Sequence, residues 1–299
     1  TPTLAMLVER AGQISNFQKE KYFNVELDCD GIPAVKPKIF DPDEAEQLRS
    51  RCHGNEAIVT SVKETEKKVK APKLYDLTTL QREANRIYGM TAKQTLDTAQ
   101  SLYEKKLITY PRTDSQYLTE DMEQTARNVV RQIYEKYQLT DPFDQPEQPD
   151  VKKVMNNSKV TDHHAIIPTM ELASCHLGEL KSWEEKILFL IAVHTVMAMS
   201  KDHIYQETEI EVECQGEIFK AKGKTVLQDG WKLFENCFKN KDRMAIVDPD
   251  QEMKERMPKV TQGQTFYAVA AEKTEHFTSP PKPYSEDTLL AAMETAGNK

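Results

Sequence analysis

The order of the sequence patterns predicts an α+β protein in which a helical domain is inserted into a β-rich domain. Apolar and charged residues alternate with period two in residues 23–27 and 207–213, which indicates strands in those parts of the chain. Between them, residues 75–202 carry apolar side chains at helical spacing. The simplest arrangement is that the two β-rich parts, residues 20–69 and 203–275, form one domain that the helical block interrupts.

The first helices of the block have clear boundaries. Apolar residues recur at helical spacing from Leu80 to Ile87, and Gly89 offers a stop. Thr91 and Gln94 then predict a capping box for the next helix. Two helices joined by a short glycine-containing turn are compatible with helix-turn-helix geometry and also with ordinary packing of neighbours.

Later elements follow from similar signals. Thr119 is placed to cap a third helix, and residues 141–150 predict an exposed acidic, proline-rich connector. Ser182 and Glu185 predict a second capping box, which opens a helix apolar enough to be mostly buried. Ser285 is expected to begin the last helix.

Composition favours a globular protein of the reducing cytoplasm. The 299 residues are 38% hydrophobic and 29% charged, which is enough to bury a core in more than one unit. The five cysteines form no C-x-x-C pair, so neither a disulfide framework nor a zinc ribbon is indicated. The most apolar run, residues 187–200, is too short to span a bilayer and contains His194, which we expect to be a satisfied core histidine. No membrane association is predicted.

Charge is distributed unevenly along the chain. The net charge of −8 argues against a protein that coats nucleic acid without sequence preference. Residues 63–112 nevertheless carry eleven basic against six acidic side chains, and residues 114–150 carry three basic against nine acidic ones. Two solvated faces of opposite charge would give the same pattern.

The tyrosine motif, Leu-Ile-Thr-Tyr-Pro-Arg-Thr-Asp-Ser at residues 107–115, lies where the basic segment ends. Pro111 restricts Tyr110 to extended dihedral angles, so the phenol is presented by a stiff turn. A guanidinium such as that of Arg112 binds two phosphate oxygens and stabilises the charge that develops when a nucleophile attacks phosphorus. The pair points to phosphodiester chemistry, although a tyrosine packed under a turn with Arg112 paired to Asp114 would have the same spacing.

The histidine motif, Thr-Asp-His-His-Ala-Ile-Ile-Pro-Thr at residues 161–169, is the second polar signal. Adjacent histidines point in different directions in a helix or a strand, so the pair is a poor metal site. One imidazole that donates to a phosphate while the other packs is compatible with the pattern, and so is a purely structural pair.

Together these stretches resemble the type IA DNA topoisomerases. Residues 102–115 resemble the active-site signature of that family, and residues 162–169 resemble its second motif in the form found in the bacterial topoisomerase III branch. Residues 1–10, 77–100 and 279–297 follow in the family order. The resemblance therefore covers the whole chain.

The resemblance implies roles for individual residues. Tyr110 would attack one DNA strand and become joined to a 5′ phosphate, and Arg112 would place that phosphate. His163 would contact DNA, and Thr113 and Lys93 are expected strand contacts. The implied partner is single-stranded DNA in the cytoplasm, associated with the nucleoid, and relaxation would need no ATP because the phosphotyrosine bond preserves the energy for resealing.

The resemblance also implies a toroidal fold. Residues 17–74 and 204–279 would form a discontinuous β-rich arch, and residues 75–203 a winged-helix-like catalytic domain. Residues 1–16 and 280–299 would be edges of a body domain.

The chain departs from the family in one respect. The family carries an N-terminal metal-binding Toprim domain, with a glutamate and a D-x-D cluster for Mg²⁺, that has no counterpart here. Asp28-Cys-Asp30 matches D-x-D only by chance, because it falls in the β-rich part, so no metal site is expected in this chain. We therefore expect a fragment that binds single-stranded DNA and cleaves weakly or not at all alone. A non-catalytic DNA or protein clamp and a tyrosine recombinase, which leaves a 3′ linkage, are the alternatives.

Overall fold

The computed structural model describes residues 2–139, 148–241 and 258–296, which divide into two compact units. The sheet unit contains residues 2–68, 204–228 and 258–283. The helical unit contains the described residues from 69 to 203, from 229 to 241 and from 284 to 296. The predicted connector at 141–150 lies mostly outside the described residues.

A seven-stranded sheet forms the first unit within the part of the chain that the structure describes. Its strands lie in the order β6-β3-β4-β5-β2-β1-β7. β1 pairs antiparallel with β2 and β7, and β4 pairs antiparallel with β5 from Cys214–Glu217 outwards. The bounds are β1 Lys21–Cys29, β2 Ile32–Ile39, β3 Ala57–Val69, β4 His203–Cys214, β5 Glu217–Gln228, β6 Thr265–Phe266 and β7 Ala270–Phe277. The predicted alternation is present, because Val25 and Leu27 are buried while Glu26 and Asp28 are exposed.

Two helices accompany the strands in the described part of the sheet unit. α1 spans Pro2–Ser15 and α2 spans Pro42–Cys52, inside a segment that the sequence patterns assigned to strands. Asp41 caps α2 by accepting from the Asp43 backbone N–H at 2.8 Å, and Pro42 occupies its first turn. This Asp-Pro signature was available in the sequence, but the strand patterns on both sides masked it.

The Asp28-Cys-Asp30 stretch forms the β1–β2 hairpin. The Asp28 carboxylate accepts a hydrogen bond of 2.6 Å from the Gly31 backbone N–H. Asp30 and Gly31 both have positive φ, 55° and 84°, as the two central residues of a tight hairpin turn require. The two aspartates therefore have a structural role in the turn.

The helical unit begins with the two helices whose boundaries the sequence indicates. α3 spans Leu77–Tyr88 and ends at Gly89, whose φ of 67° is left-handed. α4 spans Ala92–Glu104, and the predicted capping box is confirmed, because Thr91 accepts from the Gln94 N–H and the Gln94 side chain accepts from the Thr91 N–H.

Two predicted helix starts are wrong. Thr119 makes no side-chain cap, because a 3₁₀ turn, Glu120–Met122, precedes α5 at Glu123–Tyr137. α6, Ser182–Ala198, is capped from Lys181, whose backbone N–H donates to the Glu184 carboxylate at 2.9 Å. The predicted Ser182–Glu185 box is thus displaced by one residue, because the Glu184 carboxylate is buried, where it accepts hydrogen bonds from Ser101 and Lys105.

The last two described helices both belong to the helical unit. α7, Lys232–Lys241, packs on α6, although the sequence assigned all of 204–279 to the β-rich part. α8, Glu286–Thr295, starts at Ser285 as predicted and packs on α3. That residues 1–16 and 280–299 are edges of a body domain stays a prediction.

A group of contacts, here called the clasp, joins residues 69–71, 201–202 and 230–231 of the helical unit. The Ala71 N–H donates to the Asp202 carboxylate at 3.0 Å. Trp231 donates from its backbone N–H to the Lys201 carbonyl at 2.9 Å and from its indole N–H to the Val69 carbonyl at 3.2 Å. The clasp therefore holds together three places where the chain enters or leaves this unit.

Candidate active site

The tyrosine motif and the histidine motif lie side by side in the helical unit. The Thr109 backbone N–H donates to the Ile167 carbonyl, and the Thr169 N–H donates to the Leu107 carbonyl, both at 3.0 Å. The Thr109 hydroxyl donates to the Ala165 carbonyl at 2.9 Å. Two segments that are more than fifty residues apart in sequence thus form one site.

Tyr110 is half-buried and contacts two aromatic rings. The ring of Tyr103, at the end of α4, stands edge-on to it with a centroid distance of 5.3 Å. The exposed His163 ring lies on it at 4.4 Å with a tilt of 46°. Pro111 is buried next to it. The phenol position is therefore fixed by contacts with two aromatic rings and by a stiff backbone.

Arg112 is exposed and has no carboxylate partner among the described residues. In particular it makes no ion pair with Asp114, which is also exposed. The alternative of a structural Arg112–Asp114 pair is therefore not what the fold adopts. A guanidinium without a carboxylate partner, two residues after a fixed phenol, is available to a phosphate.

Thr113 holds the two motifs together. Its side chain is buried, with a relative exposure of 7%, and its hydroxyl donates to the His163 carbonyl at 2.9 Å and accepts from the Ser115 N–H at 3.1 Å. Its carbonyl accepts from the Leu77 N–H at 3.0 Å. The Thr113 hydroxyl thus forms two hydrogen bonds inside the site, and a contact of Thr113 with a DNA strand stays a prediction.

Lys93 is not brought to the tyrosine. It is exposed on the first turn of α4 and has no ion-pair partner among the described residues. Tyr103, which touches Tyr110, lies ten residues further along the same helix, an axial distance of about 15 Å. A contact of Lys93 with DNA stays a prediction.

The two adjacent histidines occupy different environments. His163 is exposed beside Tyr110, whereas His164 is half-buried with its Nδ1 atom 2.9 Å from the Ala165 carbonyl oxygen. The divergent directions expected of neighbouring side chains are therefore present.

A buried carboxylate supports the end of α4. Glu184 is 3% exposed and accepts from Lys105 Nζ at 2.6 Å and from the Ser101 hydroxyl at 2.7 Å. Burial raises the pKa of Glu184, but these hydrogen bonds and that from the Lys181 N–H outweigh it and lower the pKa to about 2. Glu184 thus fixes Lys105, after which the chain turns toward Tyr110.

His194 is the core histidine that the sequence predicts. Its Nε2 atom is 2.7 Å from the Lys73 carbonyl, and its ring stacks on Tyr75 with a centroid distance of 3.7 Å. Burial lowers the pKa of His194, so the neutral ring is favoured. The ring lines a cavity of about 380 Å³ together with Arg82 and Arg86.

Comparison with known proteins identifies the family. A family model described as DNA topoisomerase matches residues 1–297. The chain belongs to the type IA DNA topoisomerase family. DNA topoisomerase 3 of Bacillus licheniformis is 37% identical over 310 residues, and that of Bacillus subtilis is 36% identical over 306 residues. Each comparison covers 98% of this topoisomerase chain and 41% of the relative.

The fold agrees with the family. Full-length topoisomerase I from Thermotoga maritima superposes with a TM-score of 0.71 at 27% identity, over 99% of this topoisomerase chain and 47% of that chain. This topoisomerase chain thus spans less than half the length of the relatives it matches. Within its described residues no helix is long and apolar enough to cross a bilayer, and no three His, Cys, Asp or Glu side chains are grouped to hold a metal ion.

Two residues of the topoisomerase site were not found from the sequence. Tyr103 could have been suspected, because it lies on the last turn of a predicted helix just before the tyrosine motif. Glu184 could not, since its partners Ser101 and Lys105 are about eighty residues away.

Proposed function

We propose that this chain supplies the nucleophile of a topoisomerase that cuts and reseals one DNA strand. The Tyr110 oxygen attacks a backbone phosphorus, and the bond from phosphorus to the 3′ oxygen of the neighbouring nucleotide breaks. The phenol proton is lost, and the departing 3′ oxygen gains one to become a hydroxyl. The 5′ phosphate stays joined to the tyrosine until the 3′ hydroxyl attacks it and restores the strand.

The observation that carries the proposal is the grouping of Tyr110, His163 and Arg112. The phenol is held against the His163 ring at 4.4 Å, and Arg112, two residues along, has no carboxylate partner among the described residues. We assign Arg112 to the phosphate, where a guanidinium stabilises the charge of the transition state. His163 is assigned to a strand contact beside the scissile bond.

Because one phosphodiester is exchanged for another, resealing needs no ATP. Between cutting and resealing the complete enzyme would pass another strand through the gap. For this step we propose the toroidal arrangement of the family, with the sheet unit in the arch and the helical unit as the winged-helix-like catalytic domain.

We propose single-stranded DNA as the substrate, in the cytoplasm and in association with the nucleoid. A half-buried tyrosine on a fixed turn is accessible to one flexible strand more readily than to a duplex. Lys93 would then contact the strand further along α4.

Mg²⁺ is proposed for the complete enzyme only. The donor set in the described part of this chain does not fit it, because no three suitable side chains are grouped there. We assign no step of the cleavage to the ion, and we expect its ligands in the part of the relatives that this chain does not match.

The test is a covalent-adduct assay. A 3′-labelled single-stranded oligonucleotide and Mg²⁺ are mixed with this chain, with and without the separately produced preceding part of the enzyme, and run on a denaturing gel. We expect label to stay with the protein when that part is added, and only weakly or not at all without it. Replacement of Tyr110 by Phe, which keeps the ring and removes the nucleophile, should abolish the adduct and leave strand binding intact.

The outcomes separate the candidate functions. An adduct formed by the Tyr110→Phe variant would refute the assigned nucleophile. A label retained only when placed at the 5′ end would show a 3′ linkage and support recombinase-like chemistry. Strand binding without any adduct, in a mixture shown to reassemble, would favour the clamp.

A further inference from the structure

Two lysines converge on one tyrosine just beyond the tyrosine motif. Lys159 Nζ lies 5.0 Å from the centroid of the Tyr117 ring, and Lys73 Nζ lies 5.7 Å from it. All three belong to the helical unit, Tyr117 is half-buried, and both lysines are exposed.

The convergence brings two like charges together without a compensating carboxylate. Their ammonium groups are at most about 11 Å apart, the sum of the two distances. Neither lysine has an ion-pair partner in the described part of the chain. A tyrosine ring attracts an exposed ammonium only weakly, so it is a poor substitute for an anion.

Several lysines of the sheet unit are instead paired with carboxylates. Lys21 pairs with Glu275 at 2.7 Å, Lys273 pairs with Glu46 at 2.7 Å, and Lys220 pairs with Glu211 at 2.9 Å. Other rings in the described part of the chain also carry two lysines, but at Phe23 and Phe277 at least one of the two is paired with a carboxylate, whereas neither lysine at Tyr117 is.

Ser115, the last residue of the tyrosine motif, holds Tyr117 and Lys159 next to that motif. Its buried hydroxyl donates to the Lys159 carbonyl at 2.8 Å and accepts from the Tyr117 N–H at 3.2 Å. Its own N–H donates to Thr113, which in turn holds the histidine motif. The ring and Lys159 are thus placed by the same hydrogen-bond chain that places the neighbours of Tyr110.

We propose that Tyr117, Lys73 and Lys159 form a subsite for single-stranded DNA, separate from the phosphate that Tyr110 attacks. When DNA binds, the two lysines leave the Tyr117 ring and pair with backbone phosphates, which are stronger partners for an ammonium group. The face of the ring that they leave then stacks on a base. This proposal rests on the proposed function, because it concerns the same strand. The combination of an aromatic face with unpaired cations is the arrangement by which single strands are bound without sequence preference.

The experiment measures binding of a fluorescent oligothymidine of about twelve nucleotides by anisotropy, at salt concentrations from about 50 to about 200 mM. Replacing Tyr117 by Leu should weaken binding about tenfold, the effect of losing one stacked base. Tyr117→Phe, which keeps the ring, should bind within about twofold of the unsubstituted chain. Lys159→Gln, on an exposed side chain that folding does not require, should reduce the slope of log affinity against log salt by about 0.7, as expected for one phosphate.

The matched controls are Tyr205→Leu and Lys224→Gln, which remove a tyrosine–lysine contact of 4.0 Å from the sheet unit. They should leave affinity and salt slope unchanged. If Lys159→Gln and the correctly folded Tyr117→Leu bind like the controls, the subsite is refuted while the proposed function stands. If the unsubstituted chain does not bind the oligonucleotide at all, the single-stranded substrate and the subsite are both refuted.

Discussion

Replacement of Glu184 by Gln should destabilise the helical unit by about 2 kcal/mol at pH 7. The carboxylate is buried, and its pKa is lowered from 4.5 to about 2 by its three hydrogen bonds. At about 1.4 kcal/mol for each pH unit, this shift corresponds to roughly 3 kcal/mol of preference for the charged form. Because the Lys105 side chain is 41% exposed, solvent screening reduces that value.

The lowered pKa of Glu184 also determines how the stabilisation depends on pH. Since the pKa in the folded state lies below that of the unfolded chain, the stabilisation is fully present above about pH 4.5 and is lost as the pH falls toward 2. The difference in unfolding free energy between the Glu184→Gln variant and the unsubstituted chain should therefore shrink to less than about half near pH 3.

Tryptophan fluorescence during urea unfolding is the suitable assay. Both tryptophans, Trp183 and Trp231, lie in the helical unit, so their signal reports that unit without interference from the sheet. Glu185→Gln is the matched control, because Glu185 is the exposed neighbour and should change the unfolding free energy by less than about 0.5 kcal/mol. Equal losses in both variants, or a Glu184→Gln loss that is the same at pH 3 and pH 7, would refute the reasoning.

Three further predictions concern the same unit. Gly230→Ala should lower the free energy of unfolding by at least about 2 kcal/mol, because the φ of Gly230 is +55° and a Cβ there would lie 2.3 Å from the Asp202 carbonyl oxygen. The control Gly178→Ala, with open space around the added Cβ, should leave the thermal or urea unfolding nearly unchanged. Thr113→Val should cost about 1–2 kcal/mol through its lost hydrogen bonds, and an unchanged unfolding midpoint would contradict the role assigned to the hydroxyl. Since burial lowers the pKa of His194, the free energy of unfolding should decline as the pH falls below about 6.5, and His194→Gln should abolish that part of the decline. A decline of equal size in the variant would show that other groups cause it.

The sequence was informative wherever a structural signal is local. Gly89, the capping box from Thr91 and the start at Ser285 are confirmed, because each depends on a few neighbouring residues and the backbone between them. Helix α2 shows the limit of this approach, since its capping signal lay between two strong strand patterns and was overlooked.

The sequence was less informative where the local structure depends on residues far away along the chain. The start of α6 is set by Glu184, whose carboxylate turns toward Lys105, and nothing in the adjacent sequence reveals that partner. Likewise, the adjacent sequence does not reveal that the Thr113 hydroxyl is buried and donates to the carbonyl of His163, which lies 50 residues further along the chain. Tyr110 and Arg112 were selected from the chemistry of their side chains, and the structure adds the rings that hold the phenol.

The clasp has a consequence for folding kinetics. β3 and β4 are neighbours in the sheet, yet more than 130 residues of chain separate the end of one from the start of the other. Closing so long a loop costs entropy and slows the pairing of the two strands. When the helical unit folds first, the Ala71–Asp202 hydrogen bond ties the two ends of that loop together, and the effective separation of β3 and β4 falls to a few residues. The helical unit then acts as a folding template for the sheet, and slow sheet formation after disruption of the clasp, as in Gly230→Ala, would be its kinetic signature.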